Sequence, residues 1–337
     1  MKNKNQVEDG DNIKNNSEIL FIYEASRCNP NGDPDDENKP RMDYSRNINL
    51  VSDLRLKRYI RDYLMDYKNE TIFVTKIEGE PVTATNRLKK LIEMNKEDIM
   101  KVEDLKDLLK KNGDPDEKKL SNHLPWLLSK LIDVRFFGAT MPLKSEEGKG
   151  DSITFTGPIQ FNWGQSLNKV TGPMDSSGIT SHFSSESEKG AGAMGKDYRL
   201  DYSLIAFHGI ISAKRAEYTH LTNNDIGLFD DAMKHAILLE ATTRSKVGQI
   251  PFLYIRVEYN NNEFFLGDFR NYIKIVNNDG KDLSFDETAK LRSRNEYKLD
   301  LSLLKKKLDE ENESIQKIHT WYCDEERIIG MEDNAQL

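Results

Sequence analysis

From Ile19 to Ala25 the chain is apolar almost without a break, and this run reads as a strand. A loop rich in Pro, Asn, Gly and Asp follows, and then the hydrophobic pattern changes period. Over residues 53–67, at about 100° per residue, Leu56, Tyr59, Ile60, Tyr63, Leu64 and Tyr67 share one side of a predicted helix, with Arg55, Lys57, Arg58 and Arg61 on the other. Ser52 occupies the N-cap position, so the helix's first free N–H groups and these cations converge on one spot suited to a phosphate.

Further along, residues 71–77 (TIFVTKI) read as a strand. Residues 86–119 are a highly charged helical stretch, followed by a short helix over 124–132. Residues 153–161 form a strand broken at Gly157-Pro158, which places it at an edge or bulge. The Gly- and Ser-rich stretch 162–196 is too long for an ordinary connection, and loops of that length are functional or disordered. Residues 202–214 are strand-like. Thr222 opens a helix through a capping box with Asp225, and Ile226, Phe229, Met233, Ala236 and Ile237 supply its buried stripe. Residues 250–259 and 264–276 read as a hairpin turning at Asn260-Asn261-Asn262, with a helix near 301–311 and a strand over 315–322 ending the pattern. Residues 1–17 carry almost no apolar side chain and are expected to be a disordered tail.

Charge sharpens the picture. The 337-residue chain has a formal net charge of −8, yet between Lys39 and Arg61 it carries seven Lys or Arg against two acids. A basic cluster set against the global sign is more informative than basic helices in a basic protein. The bland alternative is a solvated helix face. A mean hydropathy of −0.71 and a pI near 5.5 fit a soluble protein and count against a nonspecific nucleic-acid binder. They leave room for a focused groove, because counterion release depends on local phosphate contacts. No apolar run approaches about eighteen residues and no signal-peptide pattern follows Lys2 and Lys4, so neither membrane span nor leader is expected. Two cysteines without a CxxC spacing build no disulfide framework and fit a reducing cytoplasm.

The loop Asn29-Pro30-Asn31-Gly32-Asp33-Pro34-Asp35-Asp36 crowds amides and carboxylates but fails the calcium-loop template. A turn fixed by its prolines, with positive φ supplied at Asn31-Gly32, needs no metal. The sharper alternative is metal-dependent ribonuclease chemistry at Asp33, Asp35 or Asp36. Gly190–Gly195 satisfies GxGxxG, but SSESEK before it is no strand and no apolar-faced helix follows, so a dinucleotide site is excluded in favour of a hairpin tip. The six histidines meet no zinc spacing.

Several of these stretches together resemble the backbone subunit of type I CRISPR surveillance complexes (Cascade), nearest the type I-B form, with the I-C form next. They are NPNGDPD, LVSDLRLKRYIRDY, DVRFFGAT (133–140), TGPIQFNWGQS (156–166), the run 194–219 and TTRSKVGQIP (242–251). The resemblance covers roughly residues 19–280. It implies an α+β fold: an RRM/ferredoxin-like palm (18–81, 132–162 and 201–280), a helical insertion (82–131), an extended thumb hairpin (163–200), and an acidic C-terminal segment (281–337) packing on the palm. It implies a non-catalytic protein without cofactor or metal that oligomerises along CRISPR RNA and leaves the guide's bases free for target DNA. Other copies, the large subunit and guide-end capping subunits would be its partners, in the cytoplasm and away from membranes. RNA would be held by Asn29, Asn31, Arg41, Ser52, Arg55, Lys57, Arg58 and Arg61, with Gln160, Met194, Lys196, Lys214, Arg215 and Arg244 added from the later motifs. The runner-up is an endoribonuclease of the related type III kind using the loop aspartates. A third reading, a monomeric RRM-like binder of cellular RNA, lacks paired aromatic RNP motifs.

Overall fold

The computed structural model describes residues 12–77, 80–141, 152–174, 177–180 and 194–331. The chain divides into two compact units. The larger comprises Asn15–Tyr63, Phe161–Ile211 and Asp230–Leu337; the other comprises Met1–Lys14, Leu64–Gln160 and Ser212–Phe229.

The larger unit is built on an antiparallel sheet centred on β1 (Ser17–Ser26). The strand order is Ile315–Tyr322, Gln249–Tyr259, β1, Tyr202–Ile211, Gly164–Ser166, Ile48–Val51 and Met42–Asp43. β1 is apolar at most positions because both its faces are covered: every residue from Ser17 to Ala25 is buried, Glu18 and Glu24 included. Leu20 and Ile22, with Leu204, Ile255 and Val257, pack against Tyr297, Leu299, Leu301, Leu304 and Leu308, so the acidic C-terminal segment supplies half a core. On the alternate positions, Phe21 lies opposite both Phe207 and Tyr254, and Tyr23 stacks on Phe207 at 6.3 Å. Tyr254 donates to Asp230 at 2.6 Å, and Arg256 grips the same carboxylate at 2.7 and 2.9 Å, both charges being almost wholly buried.

In the other unit the charged stretch is not a helix laid on a surface. Short helices beginning with Ala84–Met94 enclose their own core of Leu88, Leu91, Ile92, Ile99, Leu108, Leu120, Leu127 and Leu128. Thr222 and Asp225 form the reciprocal capping box, at 3.1 and 3.2 Å, that opens the helix Asn223–Glu240. The stripe from Ile226 to Ile237 is buried as its spacing predicts.

Three expectations are corrected. Residues 71–77 are not a strand, because the N–H groups of Phe73 and Val74 donate to the buried carboxylate of Asp133, at 2.7 and 3.1 Å, rather than to a ladder. Residues 250–276 are not a hairpin. Glu18, also buried, takes the N–H groups of Leu266 and Gly267 at 2.5 and 2.9 Å, and the Gln249–Tyr259 strand pairs with β1 and Ile315–Tyr322 instead. Of the polar N-terminal stretch, 1–11 lie outside the described residues, while Ile13 is buried with its N–H bonded to Leu221 O at 3.1 Å.

Removing one partner from a buried ion pair strands the other. Asp230→Ala is therefore expected to cost about 3–5 kcal/mol in urea unfolding, and the double variant with Arg256→Met should be milder than the single one.

Candidate nucleic-acid interface

The loop after β1 folds back on itself through two short pairings, Gly32–Asp33 with Lys39–Pro40 and Met42–Asp43 with Ile48–Val51. Positive φ falls at Glu37 (46°) and Asn38 (59°), not at Asn31-Gly32. Gly32 is required for space instead: a Cβ there would lie 2.0 Å from Asn38 Oδ1 and 2.8 Å from Asn38 O.

Asn31 ties this loop to the helix α1 (Asp53–Lys68). Its Oδ1 accepts the N–H of Ser52 at 2.8 Å, its backbone O accepts the N–H of Arg41 at 3.0 Å, and Ser52 Oγ caps the helix by accepting from Arg55 N at 3.3 Å. Asn29 is 2% exposed. Its N–H donates to Ser245 O at 2.8 Å, its Nδ2 to Asn38 O at 2.7 Å, and its O accepts Lys246 Nζ at 2.6 Å. The two asparagines therefore act first as struts.

The cations divide into two groups. Lys57 and Arg61 are buried, at 6% and 8% exposure, and Lys57 pairs with Asp53 at 3.1 Å. Arg58 Nε bonds Asp62 at 2.8 Å. The basic side of α1 is thus not one solvated face: the acids of its own sequence, one turn away, take up two of these cations. Arg55 instead lies over the Tyr59 ring at 4.0 Å, and Arg41 bonds Asp33 at 3.0 Å. The Nε atoms of both arginines and Asn29 Oδ1 are buried without a hydrogen-bond partner among the described residues.

The base of the 177–197 hairpin joins the same region. Ser177–Thr180 pairs with Met194–Asp197, Met194 opposite Thr180. Lys196 bonds Glu37 at 2.8 Å, Tyr198 donates to the same carboxylate at 2.7 Å, and Arg244 reaches Asp197 at 3.1 Å. Lys196 holds the Glu37 carboxyl below its usual range. Gly190–Ala193, most of the GxGxxG run, lie outside the described residues. Gln160, Lys214 and Arg215 belong to the other unit, where Gln160 bonds Gly157 O at 3.0 Å and Lys214 pairs with Glu217 at 2.7 Å.

The loop aspartates do turn chemistry. Asp33 accepts from Asp35 N at 3.2 Å and from Arg41, and Asp36 pairs with Lys39 at 2.5 Å. Among the described residues no group of three or more His, Cys, Asp or Glu is placed to hold a metal.

Lys246 carries in sequence only the single-point signal of a cation after a helix, as Arg244 does, and Trp163 is not singled out there. Lys246, in the run TTRSKVGQIP, is held beside Cys28 and Arg55; burial and then the Arg55 charge lower its pKa to about 8. Trp163 is 44% exposed beside Arg41. Its only signal in sequence is a large aromatic between Asn162 and Gly164, where a strand meets a loop.

The model of the CRISPR-associated protein Cas7 family matches residues 15–302. The chain belongs to the Cas7 family. A CRISPR-associated protein Cas7 of Haloferax volcanii is 32% identical over 317 residues, which is 90% of this chain and 86% of that protein. A chain of a solved CRISPR RNA-guided surveillance complex, pre-nicking, superposes with a TM-score of 0.51 over 92% of both chains at 13% identity, a likeness of fold. In this Cas7 chain Lys246 lies beside Arg55, and Arg41 is tied through Asn31 to the start of the same helix.

Lys246 gives a pH test. An unfolded chain keeps this proton up to about 10.5 and the folded one releases it near 8, so between those values the unfolded state binds more protons and stability rises with pH; below 8 the cost of burying the charge is present in full. From pH 8 to 9.5, wild type should gain stability over Lys246→Met by up to about 1.4 kcal/mol per pH unit in urea midpoints.

Proposed function

We propose that this Cas7 chain is the non-catalytic CRISPR RNA-binding backbone subunit of a type I surveillance complex, of the I-B form, working in the cytoplasm. Copies polymerise head to tail along one guide. A contact that repeats without closing makes a filament, and the RNA's length sets the copy number. The guide's bases face outward, since complementarity to target DNA is delegated to base pairing. The large subunit and guide-end capping subunits complete the assembly.

The observation that carries this reading is the linkage of the Asn29–Asn31 loop, the capped start of α1 and the cations Arg41, Arg55 and Lys246, with Lys196 and Arg244 held by Glu37 and Asp197 of neighbouring segments, in an otherwise acidic chain. Anions are favoured at such a helix start, and guanidinium groups match phosphate oxygens. An RRM-like palm is supported by the strand order. Gln249–Tyr259, β1 and Tyr202–Ile211 lie side by side, with α1 following the first strand in sequence and Asn223–Glu240 following Tyr202–Ile211, the arrangement of a split βαβ sheet. The thumb is supported by the 177–197 pairing, and the insertion by the core that residues 84–131 build together with Phe73, Val134 and Met141.

The mechanism is positional. Phosphates sit at Arg41, Arg55 and the α1 start, contacts are sequence-independent, and Asn29 and Asn31 keep the loop from moving away from the helix. Asp33 serves this arrangement by orienting Arg41, which opposes the ribonuclease reading.

Arg41→Ala with Arg55→Ala should weaken binding of two unrelated single-stranded RNAs to the same degree, and the log–log salt slope should flatten by roughly 0.7 per lost contact. Sequence-dependent loss would mean base readout and defeat the proposal. Labelled RNA incubated with Mg²⁺ or Mn²⁺ should remain intact with wild type and with Asp33→Ala alike; cleavage abolished by that substitution would establish the nuclease instead.

A further inference from the structure

A tryptophan left in solvent on a rigid strand end calls for a partner. Trp163 is 44% exposed. Its segment is fixed on both sides: Asn162 N donates to His208 O at 3.0 Å, and Gly164 pairs with Val51. Gly164 is pressed so closely on Phe207 that a Cβ would lie 2.4 Å from the ring. Val51–Gly164 is the last pair of that ladder, and Ser52 and Trp163 are the next residues along the two strands, so the segment carrying Trp163 leaves the sheet next to the start of α1. One guanidinium lies over the indole and a second holds its backbone. Arg41 lies 5.9 Å from the ring centroid, and Arg270, braced on Asp268 at 2.6 Å, donates to Trp163 O at 2.9 Å.

We propose that the Trp163 indole is a stacking platform for one nucleobase of the RNA whose phosphates lie at Arg41 and the start of α1. This rests on the RNA-binding reading above. An apolar protein partner would not call for a guanidinium at the ring, whereas a nucleotide brings a π face for the indole and an anion for Arg41. Every base has such a face, so the platform orders the strand without reading its sequence. Because the strand end is already rigid, little ordering cost attaches to the stack.

The experiment compares a short oligouridylate with an abasic ribose-phosphate strand of the same length, using the full chain. Trp163→Ala should weaken the oligouridylate about tenfold while leaving the abasic strand as wild type binds it. Trp163→Phe should keep most of the affinity. Oligouridylate should quench wild-type tryptophan fluorescence, and much less that of Trp163→Phe, since only two other tryptophans are present. The proposal is overturned if Trp163→Ala weakens both strands equally, weakens neither, or instead breaks RNA-free association between copies seen by light scattering. If wild type bound neither strand, the RNA-binding reading would fall and this proposal with it. If wild type binds but Trp163→Phe quenches as fully as wild type, only the platform falls.

Discussion

One hydrogen bond sets the geometry of the site: the side-chain oxygen of Asn31 receiving the N–H of Ser52. That N–H sits where the chain leaves a strand to begin α1. Supplying its acceptor from the loop fixes where Arg41, whose own N–H is bound to Asn31 O, lies relative to Arg55, whose N–H is capped by Ser52. Loop, strand end and helix start therefore move as one body. Without this bond, cations brought together only by their sequence positions would repel one another and spread. Clustering them has visible consequences. Burial first, and the Arg55 charge second, cost Lys246 part of its affinity for a proton, while Arg41 leans on Asp33, and Lys196 and Arg244 find Glu37 and Asp197. Each of these acids restrains one cation.

Much of this was legible in sequence where the determinants are local. The mostly apolar run of β1, the amphipathic period of α1, the Ser52 cap and the Thr222–Asp225 capping box all depend on residues within a turn or two of one another. The break at Gly157-Pro158 was readable for the same reason: strands Ile153–Thr156 and Ile159–Phe161 stop on either side of it. The basic loop and helix were found because they oppose the sign of the whole chain.

What was not legible depends on side chains distant in sequence. Residues 71–77 and 264–268 have strand-like composition, yet each gives two N–H groups to a buried carboxylate, Asp133 in one case and Glu18 in the other. A carboxylate taken out of water must recover its hydrogen bonds, and it outcompetes a ladder for the donors it can reach. Nothing in TIFVTKI announces that Asp133 will arrive there. Lys57 and Arg61 failed for a related reason. A helical wheel assigns them to the side away from the hydrophobic stripe, but both are 8% exposed or less, so that side is covered as well.

The same distinction separates the two ways of reading the loop aspartates. Carboxylates crowded in sequence suggest a metal because their charges would repel unless a cation intervened. Here the intervening cations belong to the chain: Arg41 takes Asp33 and Lys39 takes Asp36, while backbone N–H groups at Asp36 and Asn38 close the turn on Asp33 O at 3.1 and 2.8 Å. Two of the three loop carboxylates are thus held by cations of the same loop, so their crowding is accounted for without a metal ion.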